Sequence, residues 1–335
     1  MALVKSLSVL PNLEDDLSRL EQILIESVIA ENDYLTEIAS HLITAGGKRV
    51  RPGFAIAASG VETAVAESVS RSVLLGGVAV ELVHLGSLYH DDVMDEAKLR
   101  RTVPSVNALW GNLTAILAGD FLLARASEIA ASLGTEVAGL LAKTIGELCE
   151  GQILELQSTY KIDRSLDSYE RSISGKTASL LATACKIGGL TAELSRENID
   201  AISAFGHSYG MAFQIIDDIL DLTATDEELG KPSGNDLIEG VYTLPVISAF
   251  SSEYGDELEA LLGNEISLDE RDRARELIRK SGGVADALSR ARHWTSQAVS
   301  SLECLPESEA TTALNAATEH LINRASSTRF DELHQ

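Results

Sequence analysis

The sequence has few of the residues that divide a chain into modules or cross-link it. Its 335 residues include six prolines, and no stretch rich in proline, glycine and serine resembles a linker. We therefore expect one helical domain over residues 1–335, although length alone favours two. The three cysteines are far apart and odd in number, which argues against disulfides and zinc and indicates a reducing compartment.

Basic side chains are also scarce. The chain has 27 Lys and Arg against 51 Asp and Glu, and its net charge is −24. Such a field repels nucleic acid and anionic lipid, so we expect neither as a general partner. An anionic ligand can bind only where local cations outweigh this field. The start lacks a signal-peptide pattern and the apolar runs are short, so we expect no transmembrane segment and a cytoplasmic protein.

Alternating strand patterns and hairpin signals are absent, whereas helical periodicity is present throughout. Between residues 13 and 28, leucine and valine recur at spacings of three and four after Asn12, a candidate N-cap. Residues 268–278 and 284–302 show the same pattern. The sequence therefore predicts an all-α fold.

Two segments are apolar nearly all round, as expected of central helices. They are residues 72–90 and 209–222. Acidic residues cluster at the end of each, with the spacing Asp-Asp-x-x-Asp. The first cluster is Asp91, Asp92 and Asp95, and the second is Asp217, Asp218 and Asp221.

These clusters indicate metal binding. Carboxylates four residues apart share one helix face and repel each other, and the repulsion is costlier on a buried helix. Mg²⁺ neutralises such groups, because it prefers carboxylate, water and phosphate oxygens. Acids at a helix end are often merely solvated, but two such clusters on two apolar helices make that interpretation much weaker.

Further short stretches accompany the two clusters in order along the chain. They are Gly47-Lys48-Arg49-Val50-Arg51-Pro52, His84, Arg100-Arg101, Lys176-Thr177, Gln214, Gly230-Lys231 and Asn235-Asp236-Leu237. The glycines and the proline around Lys48, Arg49 and Arg51 favour a turn, and arginine forks suit phosphate oxygens. His84 lies two helical turns before Asp91, on nearly the same face.

In the order and spacing of these stretches, the chain from about Gly46 onward resembles the trans-polyprenyl diphosphate synthases. The resemblance implies a single-domain helical bundle around a central cavity, of the isoprenoid synthase type. It also implies a second copy as partner, since the family is usually homodimeric. It also implies an Mg-dependent prenyltransferase that condenses isopentenyl diphosphate with an allylic diphosphate, using about three Mg²⁺.

The resemblance further implies roles for individual residues. Mg²⁺ ligands would be Asp91, Asp92, Asp95, Asp217, Asp218 and Asp221, with Asp91, Asp95 and Asp217 as the principal catalytic carboxylates. The basic residues would bind the two substrates. Lys48, Arg51, His84 and Arg101 would hold isopentenyl diphosphate, with Arg49 in the same basic group, and Arg100, Lys176 and Lys231 would hold the allylic diphosphate. Thr177 and Gln214 would turn oxygen dipoles toward the developing cation.

The sequence departs from the family at one position. Many relatives have a second lysine after Glu239-Gly240, where this chain has Val241. We expect activity to survive, because both aspartate clusters are complete. Gly175-Lys176-Thr177 superficially suggests a nucleotide-binding loop, but Glu170 stands where such a loop needs glycine, and no strand precedes it.

Small residues before the first cluster predict a long product. Gly86, Ser87 and Val83 lie in the turns before Asp91, where short-chain relatives often have a blocking aromatic. About 22 Å of helix free of such a plug accommodates about five isoprene units. We therefore expect a product of about C40–C50, of the kind used for quinone side chains. The alternative for these residues is close helix packing.

Other functions stay open at this point. They are a medium-chain, geranylgeranyl-type synthase, a class I terpene cyclase, and a non-catalytic subunit of a heteromeric synthase. A cyclase would leave the basic residues for a second diphosphate unexplained, and its second metal motif usually mixes Asn, Ser and Glu. Non-catalytic subunits commonly lose an aspartate cluster, and this chain retains both.

Overall fold

The computed structural model describes residue 7 and residues 9–62, 68–225 and 233–326. Over these ranges the chain is almost entirely helical, which confirms the predicted all-α class. The helices are α1 (Leu13–Ser27), α2 (Asp33–Thr44), α3 (Val50–Ser59), α4 (Arg71–Met94), α5 (Val106–Trp110), α6 (Asn112–Ser132), α7 (Thr135–Gln157), α8 (Leu166–Ile173), α9 (Ser179–Thr191), α10 (Arg196–Thr223), α11 (Asn235–Ile238), α12 (Leu244–Phe250), α13 (Gly255–Leu261), α14 (Leu268–Lys280), α15 (Gly283–Leu302) and α16 (Glu309–Ser326). A π-helical turn, Ser174–Ala178, joins α8 to α9.

The chain forms two compact units. The first consists of Met1–Ile145, Leu180–Gly206 and Leu302–Ala317, and the second of Gly146–Ser179, His207–Ser301 and Thr318–Gln335. The expectation of a single domain stays a prediction.

Helix α4 is the core of the first unit. Its leucines and valines are buried around most of its circumference, as its unbroken apolar sequence predicts. Among the described residues, this helix alone is long and apolar enough to cross a membrane, with a mean hydropathy of 1.5, but 72% of that window is buried inside the protein. Burial in a core accounts for its apolar composition.

Glycines set how closely α4 approaches its neighbours. A Cβ atom on Gly76 would lie 2.5 Å from Ile187 Cγ2 of α9, and one on Gly77 would lie 2.9 Å from Leu20 Cδ1 of α1. Interiors packed at crystal density cannot absorb such overlaps. Neighbouring helices therefore contact the backbone of α4 directly.

A short hairpin follows α4 and differs from the sequence prediction, which contained no strands. Strand β1 (Leu99–Arg100) pairs with β2 (Val103–Pro104). Arg101 and Thr102 form the turn, with φ values of 52° and 68°. Two-residue hairpins favour positive φ at both turn positions, usually with Asn or Gly. Because neither Asn nor Gly stands at positions 101 and 102, the sequence does not indicate this turn.

The second unit is built around α10 and the segment from α8 to the π-helical turn. Ile215, Ile216 and Ile219 on α10 are fully buried. The C-terminal carbonyls of α10 accept hydrogen bonds from α14, since Arg275 Nε lies 3.0 Å from the oxygen of Leu222. Cations at this end also complement the helix dipole. The second acidic cluster is therefore held on a helix fixed along its length and at its end.

Candidate active site

The first acidic cluster ends α4 and divides into accessible and buried carboxylates. Asp91 is half-buried and Asp95 is exposed at the C-cap of the helix. Asp92 is fully buried, and its Oδ1 accepts from Arg100 Nε at 2.7 Å. Burial raises the pKa of Asp92, while the hydrogen bond from Arg100 lowers it. A buried carboxylate needs such a partner.

Two predicted site residues are paired with each other here. Asp92, a predicted Mg²⁺ ligand, is buried, and Arg100, predicted to bind the allylic diphosphate, donates to it through Nε and Nη2, at 2.7 Å and 2.5 Å. The pair holds the hairpin against the end of α4. The roles of both residues toward metal and diphosphate stay predictions.

A cavity of about 830 Å³ lies in the same unit. Four cationic side chains and three carboxylates line it together with His84, so cations prevail locally in a strongly acidic protein. These residues are Lys48, Arg49, Arg51, Arg101, Glu14, Glu21 and Glu81. The structure therefore brings together all the side chains predicted to hold isopentenyl diphosphate.

His84 is surrounded by positive charge in this cavity. Its pKa lies well below the ordinary value, first because of burial and then because of nearby arginines, Arg51 and Arg101 foremost. Arg101 is fixed by the backbone, since its Nη1 donates to the oxygens of Leu42, at 3.0 Å, and of Gly46. A neutral imidazole among arginines offers a hydrogen bond to an anion without repelling its cationic neighbours.

Arg49 is the exception in the basic group. Its side chain is buried and donates to Glu21, Glu81 and the backbone oxygen of Ile43. These contacts use most of its five N–H groups. Its guanidinium is therefore occupied by carboxylates in this structure, and a role for Arg49 in substrate binding stays a prediction.

The residues predicted to measure the product chain are packed closely. A Cβ atom on Gly86 would lie 3.1 Å from the oxygen of Gly119 and 3.2 Å from Leu123 Cγ, both on α6. Val83 is fully buried, and the Ser87 hydroxyl donates to the oxygen of His84 at 2.9 Å. Gly86 therefore packs closely against α6, as in the alternative that the sequence left open, and the role of these residues in product length stays a prediction.

In the second cluster, on α10, only the carboxylate of Asp217 is accessible. Asp217 is half-buried, and its Oδ1 accepts from Arg324 Nη1 of α16 at 2.9 Å. Asp221 is buried, and its Oδ2 accepts from the backbone N–H of Asp236 at 3.3 Å. Asp221 thereby holds the segment after the cluster, and its role as a metal ligand stays a prediction.

Asp218 is the centre of a buried hydrogen-bond network. Its Oδ2 accepts from the Tyr169 hydroxyl at 2.5 Å, and its Oδ1 accepts from Gln214 Nε2 at 2.9 Å. Gln214 Oε1 in turn accepts from the Thr177 hydroxyl at 2.8 Å. Burial raises the pKa of Asp218 to about 7, against the opposing effect of these hydrogen bonds. With both oxygens engaged, Asp218 positions Gln214 in this structure, and its role as a metal ligand stays a prediction.

The π-helical turn presents Lys176 and Thr177. Lys176 Nζ donates to Glu155 Oε1 of α7 at 2.6 Å. A Cβ atom on Gly151 of α7 would lie 2.5 Å from the amide nitrogen of Lys176, so glycine is needed there for the close approach. The turn directly follows helix α8, whereas a nucleotide-binding loop follows a strand. Such turns are frequent at functional sites.

Two remaining predictions concern the segment after α10. Lys231 and Gly230 lie outside the described residues. Val241 follows α11, and its backbone N–H donates to the oxygen of Asp236 at 2.8 Å.

The accessible carboxylates suit Mg²⁺. Asp91, Asp95 and Asp217 each present an oxygen donor, and Mg²⁺ is usually bound through one or two carboxylates together with waters and substrate phosphates. Within the ranges that the structure describes, no three His, Cys, Asp or Glu side chains meet as a preformed metal site. The accessible carboxylates of each unit, taken separately, therefore fit a metal that is bound together with a diphosphate.

Sequence reasoning missed several residues of the two units. Glu21 and Glu81 partner Arg49, Tyr169 partners Asp218, Arg324 partners Asp217, and Leu123 covers Gly86. Each lies far along the chain from its partner. Only Glu81 had a local signal, as a lone acid in the middle of an apolar helix.

Comparisons with known proteins identify the family of this chain. The sequence model of the family described as polyprenyl synthetase matches residues 32–280. Heptaprenyl diphosphate synthase component 2 of Geobacillus stearothermophilus is 40% identical over 89% of this chain and 92% of its own length. Nonaprenyl diphosphate synthase of Mycobacterium tuberculosis is 37% identical over 92% of each chain.

A solved structure shares the fold. The polyprenyl synthase of Caulobacter crescentus, complexed with calcium and isoprenyl diphosphate, superposes with a TM-score of 0.87 at 31% identity, over 94% of this chain and 96% of the other. The family model matches more than half of the chain, and both relatives are more than 30% identical to it over most of their length. The chain therefore belongs to the polyprenyl synthetase family of prenyltransferases.

Proposed function

We propose that the protein condenses isopentenyl diphosphate with an allylic diphosphate to give a trans long-chain polyprenyl diphosphate of about C40–C50. One observation carries this proposal: helix α4 places His84 in the cationic cavity and Asp91 at its accessible end. Seven residues of helix separate them, or about 10 Å. One diphosphate can thus be held by cations beside a second that is held through metal.

The chemistry divides between these groups. By resemblance, Asp91, Asp95 and Asp217 would hold Mg²⁺, about three ions, which when bound would neutralise the charge of the leaving diphosphate. The carbon–oxygen bond of the allylic substrate breaks, and its electron pair departs with diphosphate. The alkene of isopentenyl diphosphate then attacks the allylic cation, and diphosphate takes the proton that is lost. Lys48, Arg51, His84 and Arg101 hold the attacking substrate.

The second unit supports ionisation. Lys176 binds the allylic diphosphate once it exchanges Glu155 for phosphate oxygens. Gln214 is held by Thr177 and Asp218, so its dipole is fixed before the cation forms. Lys231 is a further diphosphate ligand by resemblance.

A long product is supported by the relatives, whose names specify seven and nine prenyl units. A product of this length suits a quinone side chain. Ser87→Phe should shorten it, because Ser87 is half-buried near Asp91 and an aromatic there would obstruct the growing tail. An unchanged product distribution would reject a role for this turn.

We also propose that the enzyme is a cytoplasmic homodimer. Leucines of α5 and α6 are unusually exposed in the single chain, with Leu113 at 73%, Leu117 at 58% and Leu109 at 49%. Apolar side chains at a spacing of four form one face, which a second copy would cover. Light scattering should give twice the chain mass, and Leu113→Glu/Leu117→Glu should give monomers.

Purified protein, incubated alone with labelled isopentenyl diphosphate and several allylic primers, tests the function. Chain-length analysis should show products of about C40–C50. A C20 product would support the geranylgeranyl-type alternative. Consumption of geranylgeranyl diphosphate without isopentenyl diphosphate would indicate a cyclase. Inactivity until a second protein is added would indicate a heteromeric synthase, and the relative from Geobacillus is itself named as a component.

A further inference from the structure

Helix α1 forms a wall of the cationic cavity although it precedes the residues that the family model matches. That match begins at residue 32, whereas α1 spans Leu13–Ser27. Leu13, Leu17 and Glu21 of this helix line the cavity. The family pattern therefore does not explain what α1 contributes there.

The principal polar link between α1 and the cavity is the pairing of Glu21 with Arg49. Glu21 accepts from Arg49 Nε at 2.7 Å and from Nη2 at 2.6 Å, in the bidentate geometry that arginine and carboxylate prefer. Arg49 Nη1 donates to Glu81 at 3.0 Å. Glu81 is buried on α4, one helical turn before His84. Arg49 thus ties α1 to the cavity-bearing turn of α4.

The backbone at Arg49 explains why this tie affects binding. Arg49 immediately precedes α3 with φ 44° and ψ 42°, in the left-handed region that residues with a side chain seldom adopt. Lys48 lies before this bend and Arg51 after it, and both line the cavity. A Cβ atom on Gly47 would lie 2.5 Å from Arg49 Nη1, so the turn closes tightly over the guanidinium.

We propose that Glu21 and Arg49 are positioning residues for the acceptor diphosphate. Their ion pair, together with Glu81, keeps the left-handed turn that directs Lys48 and Arg51 into one cavity. Helix α1 therefore contributes to binding through Glu21, although Glu21 itself does not touch the ligand. This inference rests on the proposed function, in which the cavity holds isopentenyl diphosphate.

The sign of the effect separates positioning from plain electrostatics. A carboxylate beside an anion site repels the anion, so its removal should strengthen binding if charge alone matters. If Glu21 positions the turn, its removal should weaken binding. Glu14 is the matched control. It lines the same cavity from the same helix and is exposed, but the hydrogen bonds of Arg49 go to Glu21, Glu81 and Ile43 instead.

The experiment compares Glu21→Gln, Arg49→Lys and Glu14→Gln with the wild type. We expect Glu21→Gln and Arg49→Lys to raise KM for isopentenyl diphosphate about tenfold, since each loses charge-assisted hydrogen bonds. The KM for the allylic substrate should stay within twofold. Glu14→Gln should lower KM for isopentenyl diphosphate or leave it unchanged. Arg49→Lys keeps the charge but not the fork, so it isolates geometry.

Thermal unfolding of each variant distinguishes positioning from general damage. Equal losses for both substrates, or a fall in KM for Glu21→Gln, would overturn the proposal. If Glu21→Gln proves too unstable to assay, Arg49→Lys tests the proposal by the same criterion, which is a higher KM for isopentenyl diphosphate with little change in KM for the allylic substrate. A wild-type protein that does not turn over isopentenyl diphosphate would reject the proposed function instead, so the two failures are distinct.

Discussion

The two acidic clusters have the same spacing but different surroundings. The first, at the end of α4, presents two accessible carboxylates, Asp91 and Asp95. The second, on α10, presents only Asp217, and the other two aspartates bond within the protein. In both clusters the middle aspartate is buried, but Asp92 meets a cation whereas Asp218 meets a hydroxyl and an amide.

This difference shows what an Asp-Asp-x-x-Asp spacing can and cannot specify. It places the last carboxylate within reach of both the first, four residues away, and the middle one, three residues away. Which of the three face solvent depends on neighbours that are distant in sequence. In this structure three carboxylates are accessible, one of them in the second cluster.

The largest expected effect tests the accessible carboxylates. Asp91→Ala and Asp217→Ala should each reduce kcat by about three orders of magnitude, because the leaving diphosphate loses its metal contact. Asp286→Ala, at an exposed aspartate of α15, is the control and should leave kcat unchanged. Circular dichroism should show intact helices. Near-normal activity of either variant would remove the metal assignment.

Stability variants sharpen the contrast between the two middle aspartates. Arg100→Met should lower the free energy of unfolding by about 3–5 kcal/mol, because Asp92 would be buried without its cation. Tyr169→Phe removes a neutral donor from Asp218 and should cost about 1–3 kcal/mol.

Urea unfolding measures both changes. The matched variant Tyr34→Phe, at an exposed tyrosine, should have no effect. Equal losses for Arg100→Met and Tyr169→Phe would show that the two environments do not differ as described.

Much of the fold was predictable from periodicity, whereas the pairing of side chains was not. The patterns at residues 268–278 and 284–302 correspond to α14 and α15, and α1 begins directly after Asn12. Asn12 nevertheless makes no side-chain cap bond. Helical periodicity is local and repeated, so it is visible in a single sequence.

The site was predictable only as a set of residue types. The cationic residues of the cavity are gathered as the resemblance implied, but Arg49 and Arg100 bond to carboxylates. Arg49 and Glu21 are 28 residues apart, and Arg324 and Asp217 are 107 apart. Such pairs obey no local period, and nothing in the sequence separates a cation that pairs with the protein from one kept for the ligand.

A smaller effect, on Mg²⁺ affinity, is expected from replacing Arg324, the counter-ion of Asp217 in the second cluster. Arg324 partly neutralises Asp217, and the pair is about one-third exposed on each side. Exposed ion pairs contribute about 0–1 kcal/mol, so Arg324→Gln should strengthen Mg²⁺ binding no more than about fivefold. Calorimetric Mg²⁺ titration measures this. The control is Arg290→Gln, because Arg290 pairs with Glu170 elsewhere in the second unit.

The last comparison concerns the pKa values of two histidines, one in each unit. Burial lowers the pKa of both, but the arginines lower that of His84 further, whereas Glu147 opposes the shift at His207. NMR titration should therefore show His84 protonating at lower pH than His207. The reverse order would mean that cations do not dominate the cavity.

The same shift links the stability of the protein to pH. Because the folded-state pKa of His84 is depressed, the unfolded chain takes up the proton first, as pH falls below about 6.5. Stability from this group is complete above that pH and declines by up to about 1.4 kcal/mol per pH unit below it, until His84 protonates in the folded state. His84→Gln cannot titrate, so the difference in unfolding free energy between pH 7.5 and 5.5 should be smaller for this variant than for the wild type. An equal pH dependence would show that His84 is not held neutral, and would undermine the description of the cavity as a site where positive charge prevails.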